Sequence, residues 1–169
     1  MDSYYDALAP GYDELHKEEQ LRKLVILLEK LKITQADRVL DVGCATAFSF
    51  ECLPPGCRFQ GVEPSRGLIA QSRHRDKILC CKAEELPYPD RFFTVVLSVT
   101  ALQNFDDPRR GLEQMRRVGS DRFGISFLKK SPKRELLETL IKELFVVEEQ
   151  VEEPHDLLFI CRSPRARSP

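Results

Sequence analysis

Residues 39–50 read VLDVGCATAFSF, and the reading of this stretch decides the fold. With Arg38 ahead of it, the run RVLDVG is apolar without strict alternation, the pattern of a strand buried on both faces of a parallel sheet. From Phe48 the chain reads as helical. Between the two lies Gly43-Cys44-Ala45-Thr46-Ala47, a tight turn with a single glycine. A strand that passes through such a turn into a helix turns backbone amides and a positive helix end towards whatever sits beyond the strand. In open parallel sheets ligands sit there, where the strand order reverses. Glu63, twenty residues after Gly43, closes the next predicted strand, and a carboxylate at that place accepts two hydrogen bonds from a ribose diol.

Outward from this turn, strand and helix patterns alternate. KEEQLRKLVILLEKLK (17–32) puts Leu21, Leu24, Val25, Leu28 and Leu31 at helical spacing and predicts a helix with one buried face. After RVLDVG come strands predicted over CRFQGVEPS (57–65), DKILCCKA (76–83), RFFTVVLSVTAL (91–102) and DRFGISFLKK (121–130). Helices are predicted over SRGLIAQSRHR (65–75), over DDPRRGLEQMRRV (106–118) with its Asp-Pro start, and over SPKRELLETLIKELF (131–145) with Leu136, Leu137, Leu140, Ile141 and Leu144 on one face. FVVEEQVEEPHDLLFICR (145–162) reads as two strands joined by an acidic turn, close enough to pair antiparallel. The order predicts an α/β domain: a doubly wound, mostly parallel sheet with an antiparallel C-terminal hairpin and helices on both faces. One domain is expected over residues 1–162, with 163–169 as a disordered tail.

A chain of 169 residues with 42% apolar residues can bury a core of its own, and a net charge of −1 gives it no overall field for polyanions. There is no apolar run long enough to span a membrane and the N-terminus MDSYYDALAP lacks a signal-peptide pattern, so a cytoplasmic protein without membrane association is expected. Cysteines 44, 52, 57, 80, 81 and 161 lack paired CxxC spacing and are expected as free thiols; no metal site is assigned.

Two cofactor classes use the strand–turn–helix geometry. A dinucleotide site asks for G-x-G-x-x-G, with glycines at 43, 45 and 48; here Ala45 and Phe48 stand there, and the bulky Phe48 obstructs helix–strand contact. The chain also has no second half for a full dinucleotide enzyme. Against that, VLDVGCATA, GVEPS, KAEELPYPDRFFTVVLS and LQNFDDP, in this order and spacing, resemble the class I S-adenosylmethionine-dependent methyltransferases of the small type 11 group, and YYDALAPGYDEL resembles that group's tyrosine-bearing lead-in. The resemblance covers nearly the whole chain and implies a seven-stranded Rossmann-like sheet with S-adenosylmethionine as cofactor. It implies that Asp41 and the backbone of Gly43, Cys44, Ala45, Thr46 and Ala47 hold the methionine portion. It further implies Glu63 on the ribose hydroxyls, Pro64 flanking the adenine, Ala83 and Glu84 at the edge of the base, Leu86 over its other face, Ser98 beneath the sulfonium and Tyr12 closing over the cofactor.

Three positions depart from the family pattern. Ala45 and Ala47 replace the later glycines of D-x-G-x-G-x-G; if either needs a positive φ, alanine there is strained by about 1 kcal/mol or more. Lys82 stands where an Asp commonly receives the adenine amino group, and Thr94 where an Asp often begins the fourth strand. The two alanines support an alternative, a degenerate cofactor-binding or scaffold subunit without catalysis. The fourth strand ends Ser98-Val99-Thr100-Ala101, unlike the Asn-Pro-Pro-Tyr type used on planar amino nitrogens, and the residues name no catalytic base. His16 lacks a visible carboxylate partner, and Asp106 and Asp107 before Pro108 read as ordinary helix capping. With only KKSP between the fifth strand and its helix, an open site is expected, suited to a large acceptor, RNA or protein rather than a metabolite. Some compact methyltransferases resembling this chain work with a small zinc-binding activator that pairs along a sheet edge, so such a partner is entertained. The basic groups at 109–110, 116–117, 129–130 and 133–134 are expected to be a solvated, charge-paired surface.

Overall fold

The computed structural model describes residues 12–164, with side chains from residue 17 onward. Along the chain run α1 (Tyr12–Lys30), β1 (Arg38–Val42), α2 (Phe48–Glu51), β2 (Arg58–Val62), α3 (Arg66–Gln71), β3 (Ile78–Leu79) and β4 (Phe93–Ser98). There follow α4 (Pro108–Val118), β5 (Gly119–Leu128), α5 (Arg134–Leu144), β6 (Val146–Glu152) and β7 (Asp156–Arg162). The seven strands form one sheet in the order β3-β2-β1-β4-β5-β7-β6. β1 pairs parallel with β2 and β4, β4 parallel with β5, and β7 antiparallel with both β5 and β6. This is the doubly wound sheet with a C-terminal hairpin that the element order predicted. The strand order reverses between β1 and β4, so the crevice for a ligand opens above the turn after β1.

Period-2 alternation sorts the strand residues between two cores. Leu40, Val96, Leu157 and Phe159 join Leu112, Met115, Leu137, Leu140 and Ile141 of α4 and α5 on one face. Val39, Val95, Leu97, Leu158 and Ile160 join Leu27 and Leu31 from the α1 side on the other. Strands covered on both faces have no polar side to show, which is why their sequences read as continuous apolar runs. Gly124 in β5 lets the α1 layer approach: a Cβ there would stand 2.8 Å from Leu31 Cδ1.

Three expectations need correction. In α1, Leu24, Leu27 and Leu31 are buried, but Leu21 and Val25 are 41% and 42% exposed and Leu28 is half-buried, while Lys23 is almost fully buried. The inward face is rotated because the Lys23 ammonium finds the buried carboxylate of Asp156, a pairing that hydrophobic spacing alone does not reveal. In α5 Leu136 is exposed beside its buried neighbours. The third strand shrinks to Ile78–Leu79, since β3 has only β2 beside it and the chain then leaves the sheet to line the crevice. The far edge, β6, carries a bulge between Val147 and Glu149, and its glutamates pair with Lys30, Lys129 and Arg162. Charge and irregularity of this kind protect an edge from pairing with other chains.

Candidate functional site

The turn after β1 is built by its own backbone. Gly43 and Cys44 both donate their N–H groups to the Val62 carbonyl, at 2.9 and 3.0 Å, which stitches the turn to the end of β2. Gly43 sits at φ 75°, and a Cβ added there would lie 2.6 Å from Ala101 Cβ, so glycine is required by both conformation and space. Ala45 and Ala47 also lie in the left-handed region, at φ 51° and 59°. Alanine in that region costs roughly 1–2 kcal/mol. Alanine thus stands at both positions in a backbone conformation that favours glycine. α2 beyond the turn has only four residues, so the turn's amides, more than a helix end, face the crevice.

Glu63, 6% exposed, ties the two loops together: its carboxylate accepts from the Ala45 N–H and the Ser65 N–H, each at 2.9 Å. Asp41 is 3% exposed; one of its oxygens accepts from the Ser49 hydroxyl, and the other, Oδ1, has no hydrogen-bond partner among the described residues. Burial raises the Asp41 carboxyl to about 7, against the Ser49 hydrogen bond and with help from the Glu63 charge.

Two joined clefts lie over these residues. The first, about 730 Å³ and partly open to solvent, includes Glu63, Pro64, Lys82, Ala83, Glu84 and Thr100 in its lining. The second, about 470 Å³, includes Lys17, Asp41, Cys44, Thr46, Phe48 and Ser49. Gly43, Ala45 and Val99 line both, so they form the common floor. The first cleft thus has two buried carboxylates, Glu63 and Glu84, and the second has one, Asp41.

Of the residues named from sequence, Asp41, Gly43, Cys44, Ala45, Thr46, Glu63, Pro64, Ala83 and Glu84 come together in this lining. Ala47, Leu86 and Ser98 do not line either cleft: Ala47 is fully buried as the residue capping α2, Leu86 packs into the core, and Ser98 is fully buried with a hydroxyl that has no partner among the described residues. The side chains of Tyr12 and His16 lie outside the described residues. Glu84 accepts from the Asp107 N–H at 3.0 Å and so braces the start of α4, where Asp107 caps the helix through the Arg110 N–H. Lys82 forms an ion pair with Asp106 at 2.8 Å, joining two residues of the first cleft's lining. Thr94 lies at the opposite end of the sheet; its hydroxyl donates to Asp37, which also pairs with Arg122. The replacement at the start of β4 therefore serves a structural hub, not the crevice.

Sequence reasoning missed Lys17 and the segment Val99–Asn104. Lys17 lies between the lead-in and the first strand, in no recognised motif, and only the fold carries it to the second cleft, where its Nζ stands 5.2 Å from the Phe48 ring centroid. Thr100 gives no signal in sequence, yet it holds φ 54° at the end of β4, an outlier for a β-branched residue. The basic groups named from sequence are largely engaged inside the chain, and Arg109, Arg116, Arg117 and Lys133 line neither cleft. Arg109 grips Glu143 with both terminal nitrogens, Arg116 and Arg117 bond backbone carbonyls, and Lys133 bonds the carbonyls of Gln103 and Phe105. No group of three or more His, Cys, Asp or Glu side chains is placed to hold a metal ion among the described residues. Nor is any described helix long and apolar enough to cross a membrane.

Comparison with known proteins places this arrangement. The type 11 family described as "Methyltransferase domain" matches residues 40–121. Demethylmenaquinone methyltransferase from Corynebacterium urealyticum is 31% identical over 113 residues, covering 66% of this chain and 46% of that protein. Malonyl-[acyl-carrier protein] O-methyltransferase from Halorhodospira halophila is 28% identical over 134 residues, covering 73% of this chain and 45% of that one. The chain thus spans about half the length of the curated relatives it matches. Among solved structures, a chain in the complex between the Haloferax volcanii Trm112 methyltransferase activator and a protein described as a methyltransferase superposes with TM-score 0.78 at 17% identity, over 95% of this chain and 98% of that one. An S-adenosylmethionine-dependent methyltransferase from Aquifex aeolicus gives TM-score 0.77 at 13% identity, over 94% and 98%.

Proposed function

We propose, from the match of residues 40–121 to the type 11 methyltransferase domain, that this chain is a class I methyltransferase that binds S-adenosylmethionine across the two joined clefts and transfers its methyl group directly to an acceptor. The observation that carries the reading is the pair of clefts sharing one floor, with Glu63 buried at the end of β2 in the first and Asp41 buried in the second. The adenosine end suits the first cleft, where Glu63 stands at the end of β2 as a ribose acceptor, with Pro64, Ala83 and Glu84 around the base. The amino-acid end suits the second: the unpartnered Asp41 Oδ1 offers an acceptor to an ammonium, and Lys17 a cation to a carboxylate. A buried carboxylate oxygen without a partner is costly unless a ligand completes it. Cys44, Thr46 and Ala45 line this cleft, Ala47 supports the turn from beneath, and Leu86 and Ser98 support the site from within the core.

The bound cofactor supplies an electrophilic methyl group, so the protein's task is alignment and exclusion of water. Orientation of this kind is worth about 7–11 kcal/mol in favourable cases. Gly43, Ala45 and Val99 form the floor where the two clefts meet, and the acceptor is expected to approach over the neighbouring segment from Thr100 to Asp106. Closure over the cofactor by Tyr12 belongs to the same proposal.

For the acceptor, the connection between β5 and α5, five residues long, inserts no cap over the cleft, which favours a macromolecule. The intramolecular bonding of Arg109, Arg116, Arg117 and Lys133 weakens RNA and favours protein. A small metabolite is the second reading, supported by the relatives that act on demethylmenaquinone and on a malonyl group. A small zinc-binding activator is proposed as a partner, supported by the likeness to a chain from the Trm112 complex. The six unpaired thiols support a cytoplasmic setting, and residues 1–162 are proposed as one domain.

Two measurements test the proposal. Calorimetry with S-adenosylhomocysteine is expected to give saturable heat, and its absence at millimolar ligand contradicts cofactor binding. Incubation of methyl-tritiated S-adenosylmethionine with size-fractionated cell extract is expected to label the macromolecular fraction. Label confined to small molecules supports the metabolite reading, and no label despite cofactor binding supports the degenerate scaffold.

A further inference from the structure

Thr100 is held in its strained conformation through all of its polar groups. Its N–H donates to Ser126 Oγ at 2.8 Å and its carbonyl accepts from Gln103 Nε2 at 2.8 Å. Its hydroxyl donates to Asp156 Oδ2 at 2.7 Å and accepts from Lys23 Nζ at 2.6 Å. Lys23, 1% exposed, also contacts Asp156 Oδ1 at 3.2 Å and Glu19 Oε1 at 3.3 Å, and the side chains of Asp156 and Glu19 are 0% and 32% exposed. A β-branched residue at φ 54° persists only where its surroundings over-determine it, and such strain clusters at functional sites. Buried ion pairs cost desolvation and are weak devices for stability alone. Here one runs from the cleft, which Thr100 lines next to the shared floor residue Val99, to the half-exposed Glu19.

We propose that Thr100, Asp156, Lys23 and Glu19 form a proton relay that accepts the proton lost by the methyl acceptor. The inference rests on the function proposed above and narrows the acceptor to an oxygen, nitrogen or sulfur nucleophile that carries a proton when it binds. The Thr100 hydroxyl has two lone pairs, one engaged by Lys23, and the other is available to a group in the cleft. As the acceptor's proton moves to Thr100 Oγ1, the Thr100 proton passes to Asp156 Oδ2. The acceptor keeps the electron pair of its broken bond to hydrogen and forms the new bond to carbon with it, while the pair of the broken carbon–sulfur bond stays on sulfur. Charge balances too: one cation against two carboxylates leaves the relay with one negative charge, which the proton cancels as the sulfonium charge disappears. The ammonium of Lys23 bridges Asp156 to Glu19, through which the proton reaches solvent. Of the other acids of the clefts, Asp41 and Glu63 hold their places in the cofactor contacts, Glu84 accepts from the Asp107 N–H and Asp106 pairs with Lys82.

The test compares wild type with Thr100→Val and Thr100→Ser, in S-adenosylhomocysteine affinity by calorimetry and in tritiated-methyl transfer to the labelled extract fraction. Thr100→Val is expected to lower transfer by about a hundredfold with affinity within about twofold of wild type, and Thr100→Ser to restore most of it. Asp156→Asn, if it folds, is expected to follow Thr100→Val. Transfer by Thr100→Val at the wild-type rate overturns the relay. So does a parallel loss of affinity in Thr100→Val, which marks Thr100 as a structural corner only. A wild-type protein that gives no heat with S-adenosylhomocysteine defeats the proposed function itself, and one that binds but labels nothing defeats the relay while leaving cofactor binding intact.

Discussion

Strand β5 runs for ten residues and β3 for two, and the helices beside them follow suit: eleven residues in α4 and α5 against four in α2 and six in α3. The long elements stack Phe123 against Phe145 and Phe127 against Phe159, with ring centroids 4.8 and 5.8 Å apart. The short ones carry two alanines at positive φ, a carboxylate with an unpartnered oxygen and a glycine pressed against Ala101. Stability is concentrated in the half of the sheet around β5 and β7, and the half around β1 and β2 spends part of it on a crevice. A binding site built from strained turns and desolvated acids needs such a neighbour.

The largest effect should come from the supporting half. Phe127→Ala removes a fully buried ring and is expected to cost about 3–5 kcal/mol, read as a fall in melting temperature. Below its transition the variant should still bind S-adenosylhomocysteine with affinity within about twofold of wild type. A large affinity loss in folded variant would break the division between the halves.

The next concerns Asp41. Its folded value, about 7, lies above the usual 3.8, so the folded protein keeps a proton that the unfolded chain releases in between. This contribution to stability is full below about pH 4, declines as pH rises and is gone above about pH 7, a swing on the order of 4 kcal/mol. Asp41→Asn should flatten that part of the profile. A ligand ammonium favours the ionised carboxylate, so the thermal shift given by S-adenosylhomocysteine should grow between about pH 6 and pH 8 in wild type and not in the variant.

Glu63→Ala should weaken S-adenosylhomocysteine binding by about tenfold or more, roughly 1.4 kcal/mol, by calorimetry. It also leaves the amides of Ala45 and Ser65 without this acceptor, so a modest loss of stability should accompany it. The smallest effect is expected at Ala45→Gly. Relief of the left-handed strain is offset by the greater freedom of the unfolded chain, for a net gain within about 1 kcal/mol by denaturant unfolding. A clear loss would mean that the turn does not need the conformation it adopts.

Much of the fold was legible because strands covered on both faces advertise themselves. RVLDV and FTVVLS could be placed without tertiary knowledge, and the antiparallel hairpin followed from EEPHD between two apolar runs. The inward face of α1 was not legible, because it depends on a lysine burying itself against an aspartate 133 residues away. At the site, Gly43 and Glu63 were legible through the turn after the first strand and the end of the second, and Asp41 through the family resemblance. Lys17 and Thr100 did not, since their roles arise only when α1 and the end of β4 are folded over the same floor. Whether Ala45 and Ala47 were strained could not be settled from composition; the backbone angles decide it.

The central claim is that the two clefts together hold one adenosyl amino acid, with a carboxylate at each end. A crystal structure of the protein with S-adenosylhomocysteine tests it most directly. The account predicts Glu63 oxygens on the ribose hydroxyls and the ligand's ammonium against Asp41 Oδ1, with Lys17 near its carboxylate. Ligand bound elsewhere, or clefts left empty at saturating concentration with Asp41 still unpartnered, would contradict it.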